Sequence, residues 1–270
     1  MNSKAAARVS GTRSTRGPAI AMLAYWDYAL IFAALGILIP WRGSVRVNKL
    51  LARPQIAAED RLSIYASTIA FQWLLTGLIA WRSYARAFTP ENLGLTLHSP
   101  GLTAIVTAGM AIGLCALQYF GIRRIASMPA DAISRMREIS LRLMPRSLIE
   151  ALAFSALAVT AAVCEEFIYR GFVYAALQSA SGSVFVPIVG SSVLFSLAHL
   201  YQGRRGLLST FILGLVFAIS RWATGNLIAA TVTHLAVDLL AGYVAPGYFA
   251  KQSAAAQGSE PIETVNTGGR

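Results

Sequence analysis

Long apolar runs are the feature that most limits what this chain can fold into. Stretches of about 18 or more mostly apolar residues recur along it, and each can cross the roughly 30 Å hydrocarbon core of a bilayer as a helix. Charged residues make up only 13% of the 270 residues, whereas an average soluble domain has about 25%. The sequence therefore predicts a membrane protein rather than a water-soluble fold.

The apolar runs are continuous, and this continuity predicts helices. A barrel strand that faces a polar lumen would alternate apolar and polar residues instead. We therefore predict an all-α, polytopic helical bundle of about seven to eight transmembrane helices with a polar intramembrane cavity. Spans are expected at about residues 19–39, 62–81, 101–122, 148–176, 184–200, 207–223 and 226–248. Breakers such as Pro40 mark the predicted joins.

Composition divides the chain into four regions. Residues 1–17 form a basic N-terminal tail, and residues 18–147 hold the first transmembrane helices and an amphipathic linker that is expected to lie on the membrane surface. Residues 148–248 form the core that carries most of the intramembrane polar groups. Residues 249–270 are poor in apolar side chains, and we predict that they are disordered.

The basic residues are spread between the apolar runs. The formal net charge is +11, but the Lys and Arg residues form no single patch, so we expect no nucleic-acid partner. Membrane topology and the lipid bilayer explain them better, and the positive-inside rule favours an external N-terminus. No eukaryotic targeting signal is evident, so we expect a multi-pass protein of a prokaryotic plasma membrane.

Ionisable residues inside apolar helices are the candidates for function. Such a group costs about 2.5 to 3.5 kcal/mol at a helix centre, so it faces the bundle interior and usually has a role. Glu165, Glu166 and Arg170 form the densest group. Glu166 and Arg170 are four residues apart on one helical face, so the arginine can neutralise one carboxylate while the other stays free. The structural alternative is a buried ion pair that only holds two helices together.

The next predicted helices carry two more pairs at the same spacing. Phe195 and His199 share one face, and His234 and Asp238 share another. A single membrane histidine is more often a packing residue, but here several polar groups fall in one short stretch of chain. Tyr169 and Phe195 lie within these motifs and are the candidate substrate-binding residues.

Three kinds of chemistry fit this set of residues. A glutamate can activate a water while histidines stabilise the oxyanion, which is general-base hydrolysis of an amide. His199, His234 and a carboxylate could instead bind zinc, although the His-Glu-x-x-His motif is absent. The third possibility is a proton or cation relay in a transporter.

The motifs resemble those of the CPBP intramembrane protease family, also called the CAAX-protease or Abi family, which includes Rce1-type prenyl proteases. The pattern is Glu-Glu-x-x-x-Arg, then Phe-x-x-x-His, then His-x-x-x-Asn or a close relative. Here the three motifs occupy residues 165–170, 195–199 and 234–238, in the family's order. The resemblance covers about residues 148–242.

The resemblance implies a role for each motif residue. Glu165 is expected to be the general base, and Glu166 and Arg170 are expected to hold its position and charge. His199 would assist water activation, and His234 with residue 238 would bind the oxyanion.

Asp238 departs from the family pattern, because many members have Asn there. An ionised aspartate cannot donate a hydrogen bond to an oxyanion. Asp238 is therefore protonated, or it orients His234, or the mechanism of this protein differs, and of these we favour the orienting role.

These observations lead to one prediction of function. We expect an intramembrane, glutamate-dependent endopeptidase that needs no cofactor, with zinc kept as the alternative. Its expected substrate is a membrane-associated peptide or protein, prenylated or not. The functional alternatives are a catalytically silent regulatory, scaffolding or bacteriocin-immunity member of the family, and a proton-coupled transporter.

Overall fold

A computed structural model describes residues 26–128 and 134–258, and within these ranges the chain is helical with no β-strand. The all-α prediction is confirmed. The predicted basic tail, the start of the first predicted span and residues 259–270 lie outside the described ranges. The helices within those ranges are α1 Trp26–Leu51, α2 Ala58–Ala85, α3 Pro100–Ala126, α4 Ser134–Leu143, α5 Leu148–Ser181, α6 Phe185–Ala198, α7 Gly203–Thr224 and α8 Ile228–Gly258.

The helix lengths and surfaces fit a bilayer. Six helices in the described part of the chain are long and apolar enough to cross a membrane, and α6 is a shorter apolar helix of 14 residues. At 1.5 Å per residue α6 is about 21 Å long, less than the hydrocarbon thickness. Large apolar side chains such as Leu74, Ile105 and Ile112 are exposed on the outer faces, as expected where lipid is the solvent.

The first helix does not end at Pro40, as its sequence suggested. It continues to Leu51 through a π-helical turn at Ala34–Leu38. Proline cannot donate the usual backbone hydrogen bond, and its ring clashes with the carbonyl four residues earlier. The wider π turn directly before Pro40 accommodates that ring without ending the helix.

The predicted surface segment and the last helix also form regular structure. The amphipathic linker contains α4, where Arg142 donates to the carbonyl of Leu51 at 2.6 Å and Arg135 donates to that of Tyr201 at 2.9 Å. These bonds tie α4 to the end of α1 and to the turn after α6. Helix α8 reaches Gly258 rather than the expected residue 248, and its residue Phe249 is buried against α3.

Ion pairs at two places join α2 to its neighbours. Near one end of α2, Arg61 donates to both carboxylate oxygens of Glu150 on α5, at 2.8 and 3.0 Å. Near the other end, Arg82 and Arg86 pair with Asp27 on α1. Between these ends lies an apolar cluster whose buried members are Leu35, Ile79, Ile168, Tyr169, Phe172, Val173 and Phe195. The polar site is built beside this cluster.

Candidate active site

The first motif lies on a widened stretch of α5. From Glu166 to Val173 the helix is π-helical, and every residue of this stretch except Phe167 is buried. π-helical turns are rare and are found mostly at functional sites, since they change the direction of neighbouring side chains. Gly171 lets the backbone of the α2–α3 loop approach closely, because a Cβ there would lie 3.2 Å from the carbonyl oxygen of Leu93.

Glu166 and Arg170 form a fully buried charge pair. Nη1 of Arg170 lies 3.0 Å from Oε1 of Glu166, and Nη2 donates to the carbonyl of Gly214 on α7 at 3.3 Å. The guanidinium also lies over the Phe195 ring, 4.2 Å from its centroid. A buried carboxylate needs such a partner, since an unpaired charge in this environment is very costly.

His234 connects α8 to this pair. Its Nδ1 is 2.8 Å from Oε1 of Glu166, and because a carboxylate only accepts, Nδ1–H is the donor. The other ring nitrogen, Nε2, lies 3.5 Å from Oδ2 of Asp238. The Phe217 ring stacks on the imidazole at 5.4 Å between centroids. The ring is therefore held between two carboxyl groups and an aromatic face.

Glu165 faces a different set of partners from its neighbour Glu166. Its Oε1 accepts a hydrogen bond from Nε2 of Gln72 on α2 at 2.7 Å. Its Oε2 lies 3.9 Å from Nε2 of His199 and has no hydrogen-bond partner among the described residues. Glu165 and His199 are each about 15% exposed, whereas Glu166 and Arg170 are inaccessible. Both glutamates have a buried Oε2 without a hydrogen-bond partner among the described residues, but only the side chain of Glu165 stays partly exposed.

A backbone hydrogen bond determines which ring nitrogen of neutral His199 carries the hydrogen. Nδ1 lies 2.9 Å from the carbonyl oxygen of Phe195, and since a carbonyl only accepts, Nδ1–H must donate. Nε2 of the neutral ring then carries a lone pair, and this lone pair faces Glu165. Two acceptors thus face each other, on side chains that are each about 15% exposed.

Phe195 lies at the centre of the motif residues. Its ring contacts His199 at 4.7 Å, Tyr169 at 5.5 Å and His234 at 5.8 Å between centroids. Phe195 and Tyr169 are both buried, so in this arrangement they pack behind the polar groups and set their spacing. The contact with substrate that we expected for these two residues stays a prediction.

The carboxylates and imidazoles do not converge as metal ligands do. Among the residues that the structure describes, no three His, Cys, Asp or Glu side chains have an arrangement that could hold a metal ion. Glu166 Oε1 is occupied by His234 and Arg170, and His199 Nδ1 by a carbonyl. In this arrangement the described side chains do not converge on one point as the ligands of a zinc ion would.

The six predicted catalytic residues come together in two connected groups. One group is Glu165 with His199. In the other group Arg170 contacts Glu166, Glu166 contacts His234, and His234 lies next to Asp238. The sequence analysis missed two residues that touch these groups, Gln72 and Phe217. Gln72 carries an amide in an otherwise apolar stretch of α2, and this contrast could have marked it as a candidate. An aromatic residue such as Phe217 does not stand out in an apolar helix.

The fold and site define a polytopic helical membrane protein whose interior carries a carboxylate, histidine and arginine cluster. Residues 147–240 match the family model described as type II CAAX prenyl endopeptidase Rce1-like. The resemblance seen in the three motifs is thereby confirmed, and the matched segment contains all six predicted catalytic residues. Comparisons with curated proteins and with solved structures gave no match.

Proposed function

We propose that the protein is an intramembrane endopeptidase in which Glu165 activates a water molecule. One observation carries this proposal. The unpaired Oε2 of Glu165 and the lone pair on Nε2 of His199 lie 3.9 Å apart, on side chains that are each about 15% exposed. The match of residues 147–240 to the Rce1-like family supports CAAX protease-like activity in general, and it implies a membrane-associated protein substrate within a bilayer.

The spacing of these two acceptors suits a single water. A water about 2.8 Å from each atom can donate one proton to Glu165 Oε2 and the other to His199 Nε2. Its lone pairs then point away from both and toward an incoming carbonyl carbon. Transfer of one proton to Glu165 gives the attacking hydroxide, which is general-base catalysis.

The second group of residues can stabilise the charge that develops. His234 already donates from Nδ1 to Glu166, and in its imidazolium form Nε2–H can also donate to the oxyanion of the tetrahedral intermediate. Before the oxyanion forms, Nε2–H faces Asp238 at 3.5 Å, which orients the ring, and the oxyanion then shares that hydrogen. Glu165 then returns its proton to the leaving amine, and the peptide bond breaks.

An apolar cavity whose lining includes Phe167, the residue after Glu166, suggests what the substrate carries. It has a volume of about 430 Å³ and lies between α2, α5, the α2–α3 loop and the start of α8. Apolar side chains make up much of its wall, among them Trp73, Val163, Phe167, Leu227 and Val232. Such a cavity fits a hydrocarbon chain, so the proposed substrate is a prenylated polypeptide. The proposed location of the protein is a prokaryotic plasma membrane.

Cleavage of a membrane-peptide library by the detergent-purified protein tests this proposal. The wild type is compared with Glu165→Ala, each with and without a strong zinc chelator. Cleavage that is lost in the variant and retained with chelator supports the glutamate mechanism and reports the substrate class. Cleavage abolished by chelator would favour a zinc enzyme, and no cleavage by well-folded wild type would favour a scaffolding protein or a transporter.

A further inference from the structure

One side chain outside the matched segment reaches the reactive carboxylate. Gln72 lies on α2, 93 positions before Glu165, and its Nε2 is 2.7 Å from Oε1 of Glu165. The family match begins at residue 147, so it assigns nothing to α2.

The orientation of this amide follows from the chemistry of its partner. An ionised carboxylate oxygen accepts hydrogen bonds and cannot donate them. Turning the amide around would place the carbonyl oxygen of Gln72 against Oε1 of Glu165, and two acceptors would then face each other. The NH₂ group of Gln72 is therefore the one that meets Glu165.

Packing alone does not explain an amide at this position. With the NH₂ group directed at Glu165, the buried Oε1 of Gln72 has no hydrogen-bond partner among the described residues. A methionine of similar length would fill the same space without burying an unpaired acceptor. Helices α2 and α5 are also joined by other bonds, including Arg61 to Glu150 and Trp73 Nε1 to Thr160 Oγ1 at 3.2 Å.

We propose that Gln72 is a positioning residue of the catalytic site. By donating to Oε1 of Glu165, it holds the carboxylate so that Oε2 faces His199 and stays free to take a proton from water. The assignment rests on the proposed peptidase function. It also makes α2 part of the active site, so the segment matched by the family model is not the whole of it.

The test combines kinetics with a double-mutant cycle on the full-length protein in detergent. Gln72→Met removes the donor at similar volume, and Gln72→Glu places a second carboxylate opposite Glu165. Thr160→Val is the matched control, because it removes another hydrogen bond between α2 and α5 without touching Glu165. Melting temperatures are measured for each single variant and for its combination with Glu165→Ala.

We expect Gln72→Met to lower kcat about 10- to 100-fold, as loss of a supporting hydrogen bond typically does, with KM changed less than about twofold. Gln72→Glu should lower kcat further, and Thr160→Val should leave it near the wild-type value. The melting shifts of Gln72→Met and Glu165→Ala should be non-additive, whereas those of Thr160→Val and Glu165→Ala should add.

The outcomes separate this assignment from the peptidase proposal. Additive melting shifts for Gln72 and Glu165 overturn the assignment, whatever the activity. Unchanged kcat in Gln72→Met, or an equal loss in Thr160→Val, also overturns it. A wild type that cleaves no peptide, together with non-additive shifts, defeats the peptidase proposal and supports the contact between Gln72 and the carboxylate.

Discussion

Oε2 of Glu165 and Nε2 of His199 lie 3.9 Å apart, too far for a direct hydrogen bond and close enough for both to contact one water. Glu166, the next residue, is enclosed by Arg170 and His234. Two adjacent glutamates thus have different surroundings. Each carboxylate has an Oε2 without a hydrogen-bond partner among the described residues, but only that of Glu165 lies beside a histidine lone pair.

Glu165→Gln should abolish cleavage without unfolding the protein. Glutamine keeps the size of the side chain and can still contact Gln72, but it cannot accept a proton from water. Loss of a general base lowers rates about 10²- to 10⁴-fold, and we expect kcat to fall within that range while the melting temperature changes little. Initial cleavage rates and thermal unfolding in detergent measure both quantities.

Glu138→Gln is the control for this variant. Glu138 is partly exposed on α4 and pairs there with Arg142 at 3.4 Å, away from the site residues. It should keep wild-type activity. Full activity in Glu165→Gln would show that Glu165 is not the base and would direct attention to Glu166.

Arg170→Met should destabilise the fold strongly. The guanidinium is fully buried against Glu166, and removing it leaves the buried carboxylate without its arginine and with His234 as its remaining partner. Breaking a buried pair from one side costs about 3–5 kcal/mol. Chemical unfolding in mixed micelles measures the loss, with Glu138→Gln as the exposed counterpart, where such pairs contribute about 1 kcal/mol or less. An equal loss in the two variants would contradict the view that burial makes the Glu166–Arg170 pair important.

Local spacing was enough to predict much of the site. The four-residue interval between Glu166 and Arg170 puts both on one face of a helix, and their contact at 3.0 Å confirms that inference. The interval between His234 and Asp238 works in the same way and gives a distance of 3.5 Å. Continuous apolar runs predicted the helices, because length and hydropathy alone decide what can cross a bilayer.

Contacts between distant helices could not be predicted from spacing. Gln72 meets Glu165 only because α2 packs beside α5, and sequence distance carries no information about that. Gln72 is also uncharged, so it is not one of the ionisable groups that mark a functional site inside a membrane helix. Pro40 was read as a helix end because proline usually is one, whereas the π turn at Ala34–Leu38 lets α1 continue.

Asp238→Asn should keep most of the activity. Asparagine has the same shape, and its carbonyl oxygen can still accept from Nε2–H of His234, so the proposed orienting role survives. We expect kcat within about tenfold of wild type for Asp238→Asn, and a further loss of about 10- to 100-fold for Asp238→Leu, which has no acceptor. Steady-state kinetics with one peptide substrate measure kcat for both variants and for the wild type. Equal losses in both variants would show that the charge of Asp238, rather than its hydrogen bonding, is what the site needs.

Val232→Trp should weaken the use of lipid-bearing substrates. Val232 lines the apolar cavity of about 430 Å³, and the larger indole would fill part of the space proposed for a hydrocarbon chain. Excluding even a few methylene groups costs about 0.8 kcal/mol each. We therefore expect KM for a prenylated peptide to rise at least about tenfold, with little change in KM for the same peptide without its lipid.

The KM measurements on Val232→Trp need a control variant that adds a tryptophan at an exposed position outside the cavity. Ile212 is exposed on α7 and does not line the cavity, so Ile212→Trp should leave both KM values unchanged. If Val232→Trp raises KM equally for the two peptides, the cavity does not discriminate the lipid. If neither variant changes KM, the hydrocarbon chain binds outside the protein in the surrounding bilayer, and the cavity has no part in substrate selection.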